Sequence, residues 1–140
     1  MTNDYVATFG RLLIAGLFLL SGVGKIAAPA VTQAYIASSG LPLPIVGYLV
    51  AIVVDVGGGL LLAVGYRTSF VAIGMAVFTF ATAVFFHNNF ADQNQMIHFL
   101  KNVMMAGGLL QIAAFGAGAL SLDNRLSRGR VAVANAAVAR

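Results

Sequence analysis

Six ionisable side chains lie within or at the ends of long apolar segments, where a charged group is costly and frequently functional. They are Arg11, Lys25, Asp55, His87, His98 and Lys101. A carboxylate can carry a proton, an imidazole exchanges one near neutral pH, and ammonium or guanidinium groups hold anions and carbonyl oxygens. These residue types predict a polar site assembled from several helices.

Asp55 lies near the middle of its apolar segment, and Arg11 lies about one turn inside another. At about 1.5 Å per helical residue, their depths differ by only about 6 Å, which allows an ion pair between them. An unpaired carboxylate at that depth costs a few kcal/mol or takes up a proton. We therefore consider Asp55, Arg11 and His87 as catalytic candidates. The alternative for Asp55 and Arg11 is an ion pair that only joins two helices.

A second group of polar residues lies at the other ends of the helices. Lys25 closes the first apolar segment, His87 closes the third, and His98 opens the fourth. Lys101 is three residues after His98 and is expected on the same helix face. These four residues predict a positive mouth that holds a quinone oxygen or a small oxyanion. The alternative is that the lysines reach lipid head groups and the histidines face water.

Metal and nucleotide chemistry have little support. His87 and His98 are separated by a loop in a spacing that is not a recognised ligand pattern, so we predict no metal site. The chain has no Cys, which excludes iron–sulfur clusters and covalent haem. Phosphate-binding and dinucleotide motifs are missing as well.

The elements that must position these residues are membrane-spanning helices. Of the 140 residues, 60% are apolar and only 9% are charged, against about 25% in soluble domains. A segment of about 20 apolar residues crosses a bilayer, and it must be helical to pair its own backbone. The sequence predicts an all-α, integral membrane, four-helix antiparallel bundle over residues 1–123. Its spans are predicted at about 6–26, 44–65, 68–87 and 98–120.

The segments between the spans add detail. Residues 30–38 are expected to form a short helix at the membrane interface. The Ala-Pro-Ala sequence at 28–30 resembles a signal-peptidase site, but residues 1–10 contain no basic residue, so we expect the first helix to be retained.

Basic residues predict the orientation of the bundle. Arg67 lies in the loop between the second and third spans, and Arg125, Arg128 and Arg130 follow the fourth span. The positive-inside rule places both regions, and therefore both termini, in the cytoplasm. Residues 124–140 are predicted to be a flexible basic tail touching anionic lipid, with no role in binding nucleic acid.

Several of these features together resemble the DoxX family over about residues 8–123. The first helix fits with Ser21-Gly22 before Lys25, and the second with an acid before glycines, although many members carry Glu where this chain has Asp55. The fourth helix region fits with the residues His87, Gln95, Lys101, Asn102 and Gly107–Leu110.

The resemblance implies a four-helix, multi-pass protein of the bacterial inner membrane. It also implies a link to quinone-dependent oxidation of sulfur compounds in some members, to redox-stress complexes in others, and to assembly factors in the wider clan. It adds Asn102 to the candidate ligand-binding residues Lys25, His87, His98 and Lys101.

Three functional hypotheses follow. The leading one is an inner-membrane subunit of a quinone-linked redox system, with quinone as the candidate cofactor and other membrane or redox subunits as partners besides the lipid bilayer. The second is a non-catalytic scaffold or assembly factor. The third is a small-solute transporter, for which four helices without an internal repeat would need a homo-oligomer.

Overall fold

The computed structural model describes residues 2–138, and within that range the chain is helical with short connections and no strand. The predicted all-α membrane bundle is therefore confirmed. The helices are α1 (Thr2–Ala27), α2 (Pro29–Ser38), α3 (Pro44–Ile52), α4 (Gly59–Val64), α5 (Thr68–Phe86), α6 (Gln93–Phe115) and α7 (Leu122–Val138), with a π-helical segment (Val53–Gly58) between α3 and α4.

Within residues 2–138, four helical spans are long and apolar enough to cross a membrane. They cover Asp4–Ala27, Pro44–Val64, Thr68–Phe86 and Gln93–Phe115. Large apolar residues such as Leu20, Phe70 and Phe115 lie on the outer surface of the bundle and are at least 72% exposed. Such a surface is expected where lipid rather than water surrounds a bundle.

The fourth span lies five residues earlier than the predicted 98–120, because both of its ends have local stop signals. The Asp92 carboxylate accepts hydrogen bonds from the backbone amides of Asn94 and Gln95, which caps the helix before Gln93. Gly116 has a φ of 82°, so the helix ends there. His98 consequently lies more than one turn inside α6 rather than at its start.

The bundle has two distinct ends. We call the end that carries α2 and residues 87–92 the α2 end, and the opposite end, with residues 65–67 and 116–121, the Arg67 end. α2 matches the short helix expected at 30–38 and packs against α3. The apolar core, which includes Phe18, Leu62, Met75 and Leu109, fills the middle of the bundle towards the Arg67 end. The α2 end is therefore left less densely filled.

The second span changes its winding at the point where it carries its acid. Asp55 lies in the π segment, and such segments occur frequently at functional sites. α1 approaches this segment closely at Gly22, where a Cβ atom would lie 2.5 Å from Val56 Cγ2 and 3.1 Å from Asp55 Cβ. Only glycine permits this approach, so Gly22 brings α1 next to Asp55.

The segment predicted as a flexible tail, 124–140, is helical through Val138. Its Leu, Arg and Ala residues are good helix formers, which favours α7 over irregular structure. Residues 139 and 140 lie outside the described residues.

Candidate functional site

A cavity of about 820 Å³ lies between the spans, from Asp55 towards the α2 end. Its walls are mostly aliphatic and aromatic, with Leu17, Phe18, Val50, Phe78 and Phe85 among them. Its ionisable and amide side chains are those of Lys25, Tyr35, Asp55, His87, His98 and Asn102. The cavity is therefore an apolar chamber with a few polar groups, the usual composition of a small-molecule site.

Lys25 and Asp55 form an ion pair across two helices. The Lys25 Nζ atom lies 2.7 Å from Asp55 Oδ2 and donates to Ser21 Oγ at 2.6 Å. The Asp55 side chain is 3% exposed, whereas that of Lys25 is 29% exposed. The pair thus compensates the buried carboxylate and leaves part of the ammonium group accessible.

The sequence allowed an ion pair between Arg11 and Asp55, but the two residues do not pair in the structure. Arg11 is buried at the Arg67 end, and Asp55 is paired with Lys25 at the other end of α1. The guanidinium donates instead to the backbone carbonyls of Ala63, Ala117 and Leu120. Because α4 ends at Gly65 and the chain turns again at Gly116 and Gly118, these carbonyls are outside the helical hydrogen-bond ladder and available to Arg11.

His87 and His98 face each other in the cavity. Their rings stack with centroids 5.1 Å apart and an angle of 26° between the planes. His87 Nδ1 lies 3.0 Å from Gln95 Oε1, and Asn102 Nδ2 donates to the His98 carbonyl at 3.0 Å. His87, His98 and Lys25, which were expected to converge, therefore line one cavity together with Asn102, which the family resemblance had added.

Lys101 does not join this group. It is exposed and is not among the residues that line the cavity, whereas His98, Asn102 and Met105 are. At 100° per residue, a position three residues after His98 is rotated by about 60° from it. That rotation is enough to turn Lys101 away from the cavity. Of the four basic residues expected to converge, three therefore line the cavity.

An aromatic pair and a small polar pocket lie next to the cavity, and neither was expected from the sequence. Tyr35 and Phe86 stack with ring centroids 5.3 Å apart. Beyond them lies a smaller pocket of about 310 Å³, whose polar lining comes from Ser38, Ser39, Asn88, Asn89 and Gln95. The cluster of Ser and Asn residues at the ends of α2 and α5 was the signal that could have indicated it.

At the Arg67 end, Asp123 caps α5 from a distant part of the chain. Its carboxylate accepts hydrogen bonds from the Arg67 and Thr68 backbone amides at 2.7 and 2.8 Å. Burial by itself would raise the pKa of Asp123, but these hydrogen bonds and the nearby Arg11 guanidinium lower it below its ordinary value. Asp123 is therefore a charged structural link and lies away from the cavity.

Comparisons with known proteins identify the family. The model of the DoxX family matches residues 6–88. Inner membrane protein YqjF of Escherichia coli (strain K12) is 40% identical over 128 residues, which cover 90% of this chain and 95% of that protein. Inner membrane protein YphA of the same organism is 34% identical over 120 residues, covering 82% of this chain and 86% of that protein. No solved structure matches significantly. On these similarities and its four spans, the chain belongs to the DoxX family and is an integral protein of the inner membrane.

Proposed function

We propose that the protein binds a quinone head group in the apolar cavity, as a subunit of a quinone-linked redox system. The observation that carries this proposal is the Lys25–Asp55 pair, which presents a partly accessible ammonium group to an apolar chamber within the spans.

The shape and lining of the cavity fit a flat apolar ring with carbonyl oxygens. Its volume of about 820 Å³ is in the range of pockets for small organic ligands. Aromatic and aliphatic walls favour such a ring over a small oxyanion, because an anion would lose its hydration with few groups to replace it. Of the two ligand classes expected from the sequence, a quinone and a small oxyanion, the cavity therefore favours the quinone.

Lys25 is the group suited to hold a carbonyl oxygen. Its ammonium has three hydrogens, of which Ser21 and Asp55 take two, so one remains for a ligand. Asp55 balances the charge of Lys25, and the imidazole of His87 is the group in the cavity suited to give or take a proton. A bound quinone would supply acceptor chemistry for two electrons and two protons. We assign electron delivery to a partner subunit or to a directly bound substrate.

A non-catalytic scaffold is the second candidate. It is favoured by the joining roles of the two buried charges: Lys25–Asp55 connects α1 to the π segment, and Arg11 connects α1 to residues 116–121. On that hypothesis these groups only fix how the helices pack, and the cavity has no specific ligand.

Quinone binding by lysine variants in lipid nanodiscs separates the two functions. Lys25→Met removes the donor but leaves Asp55 buried without its partner, which we expect to cost about 3 kcal/mol of unfolding free energy. The double variant Lys25→Met/Asp55→Leu removes the charge imbalance and should regain most of that stability.

For the wild type, we expect calorimetric titration with a short-chain ubiquinone to show saturable binding. We expect the double variant to bind at least tenfold more weakly. Lys101→Met is the matched control, since it removes a lysine outside the cavity, and should bind as the wild type does. Binding that is absent from the wild type, or equal in the double variant and the control, would contradict the proposal and leave the scaffold.

A further inference from the structure

The apolar cavity and the smaller polar pocket share one wall. Tyr35, Phe85 and Phe86 line both of them, and the stacked rings of Tyr35 and Phe86 stand between the two spaces. On one side the lining is mostly apolar, and on the other hydroxyl and amide groups face the three aromatic rings. The polar pocket is therefore a place where water can approach the cavity at the α2 end.

One side-chain hydrogen bond connects the two spaces. His87 lines the cavity, Gln95 lines the polar pocket, and His87 Nδ1 lies 3.0 Å from Gln95 Oε1. An amide oxygen only accepts hydrogen bonds, so Nδ1 must carry the hydrogen. In the neutral imidazole, Nε2 then has the free lone pair. Gln95 thus selects which nitrogen of His87 can take a proton.

We propose that Gln95 is a positioning residue for proton transfer by His87, and that the polar pocket is where this proton reaches water. The inference rests on the proposed function for the identity of the proton donor, a reduced quinone hydroxyl. Nothing in it requires Gln95 to touch that ligand.

The transfer moves only a proton, and the electron pair of the broken O–H bond stays on the ligand oxygen. The O–H bond of the ligand hydroxyl breaks, an N–H bond forms at His87 Nε2, and the imidazolium keeps its hydrogen bond to Gln95. The Nε2–H bond then breaks, its proton passes to a water molecule that enters from the polar pocket, and His87 returns to the Nδ1–H tautomer. The reverse sequence delivers a proton to the cavity.

The charged and titratable groups around His87 come from several elements. Lys25 of α1, Asp55 of the π segment and His98 of α6 line the same cavity. Tyr35 of α2 lies in the shared wall, and Asp92 caps the turn of α6 that carries Gln95. A measurement on His87 itself, rather than on overall pH dependence, is therefore needed.

Nitrogen-15 NMR of the imidazoles provides that measurement on ligand-free protein in nanodiscs. The chain has only two histidines, so a His98→Gln variant assigns both signals. We expect neutral His87 to be mainly the Nδ1–H tautomer in the wild type and to shift towards Nε2–H in Gln95→Leu. Gln95→Glu, which keeps an acceptor, should preserve Nδ1–H. Asn94→Leu is the matched control on an exposed neighbour and should change nothing.

A wild-type Nε2–H tautomer, or an unchanged tautomer in Gln95→Leu, would overturn the role of Gln95. The role of the polar pocket is tested by the rate at which the His87 N–H hydrogen exchanges with water. Ser39→Phe, which fills the polar pocket, should slow this exchange at least threefold, whereas Ser39→Ala should not. Equal exchange in both variants would overturn the role of the pocket. Because these experiments use no quinone, their failure is distinct from failure of the quinone titration.

Discussion

Arg11 and Lys25 lie on the same helix and have different tasks. Arg11 is buried among backbone carbonyls at the Arg67 end, and Lys25 pairs with Asp55 beside the cavity. Both were expected to face the interior from their positions in α1. Which partner each would find could not be predicted, because a long flexible side chain reaches several positions and the nearest acceptor depends on how the helices are packed.

Replacing Arg11 tests its structural role. Arg11→Leu leaves the carbonyls of Ala63, Ala117 and Leu120 without their donor. Because an unpaired buried acceptor costs about 1–3 kcal/mol, we expect unfolding free energy to fall by about 3 kcal/mol in total. Denaturation in mixed micelles measures this loss, and limited proteolysis should show new cleavage within residues 116–121.

Arg67→Leu is the control for that experiment. It also removes a cation from the Arg67 end, but Arg67 is exposed. We expect the free energy of unfolding of this variant to lie within about 0.5 kcal/mol of the wild-type value. If Arg11→Leu is as stable as Arg67→Leu, the hydrogen bonds of Arg11 do not hold residues 116–121 in place.

At the scale of elements, the π segment and its neighbour α1 decide where Asp55 lies. The sequence spaces Ala51, Asp55, Gly59 and Ala63 four residues apart, which places them on one helix face, and the first three are buried. It did not predict the π winding, because a local change of helical register is set by packing rather than by hydrophobic period. Gly22 then allows α1 close enough for Lys25 to reach the carboxylate.

Asp123 links the last helix to α5, and this link should depend on pH. The pKa of Asp123 is lowered in the folded protein, so its carboxylate stabilises the fold above its unfolded pKa. That contribution is lost as pH falls through the lower folded value, in the acid range below about pH 4. At neutral pH we expect Asp123→Asn to lose about 1 kcal/mol, the usual cost of a weakened helix cap.

Melting temperatures of the wild type and Asp123→Asn, measured in detergent from pH 7 to pH 3, check this expectation. The difference between the two curves isolates Asp123 from the other acids, and it should shrink towards zero at the acid end. A difference that stays constant over the whole range would show that the charge of Asp123 does not contribute.

At the scale of the whole molecule, the bundle divides into a packed core and a cavity. The core residues fill the bundle towards the Arg67 end, and the space at the α2 end is lined by residues of α2 and by aromatic side chains. No pattern along the sequence encodes this division, because the volume between helices depends on their crossing angles and on side chains from all of them.

The orientation of the bundle in the membrane stays a prediction, which cysteine labelling can test. The chain has no Cys, so Asn89→Cys and Ser127→Cys each introduce a unique thiol at an exposed residue. By the positive-inside rule, Asn89→Cys should react with a membrane-impermeant maleimide on spheroplasts. Ser127→Cys should react only after the membrane is permeabilised. The opposite pattern would reverse the topology and place the α2 end in the cytoplasm.

The sequence by itself determined that this protein is a bundle of four membrane-spanning helices, because long apolar segments in lipid have to pair their own backbone. It also grouped Lys25, His87 and His98 with Lys101, and the family resemblance added Asn102 to that group. Only the tertiary structure decided that Lys25 rather than Arg11 pairs with Asp55, that Lys101 faces away, and that Gln95 contacts His87. Those outcomes depend on distances of a few ångströms between helices, which periodicity along one chain segment does not contain.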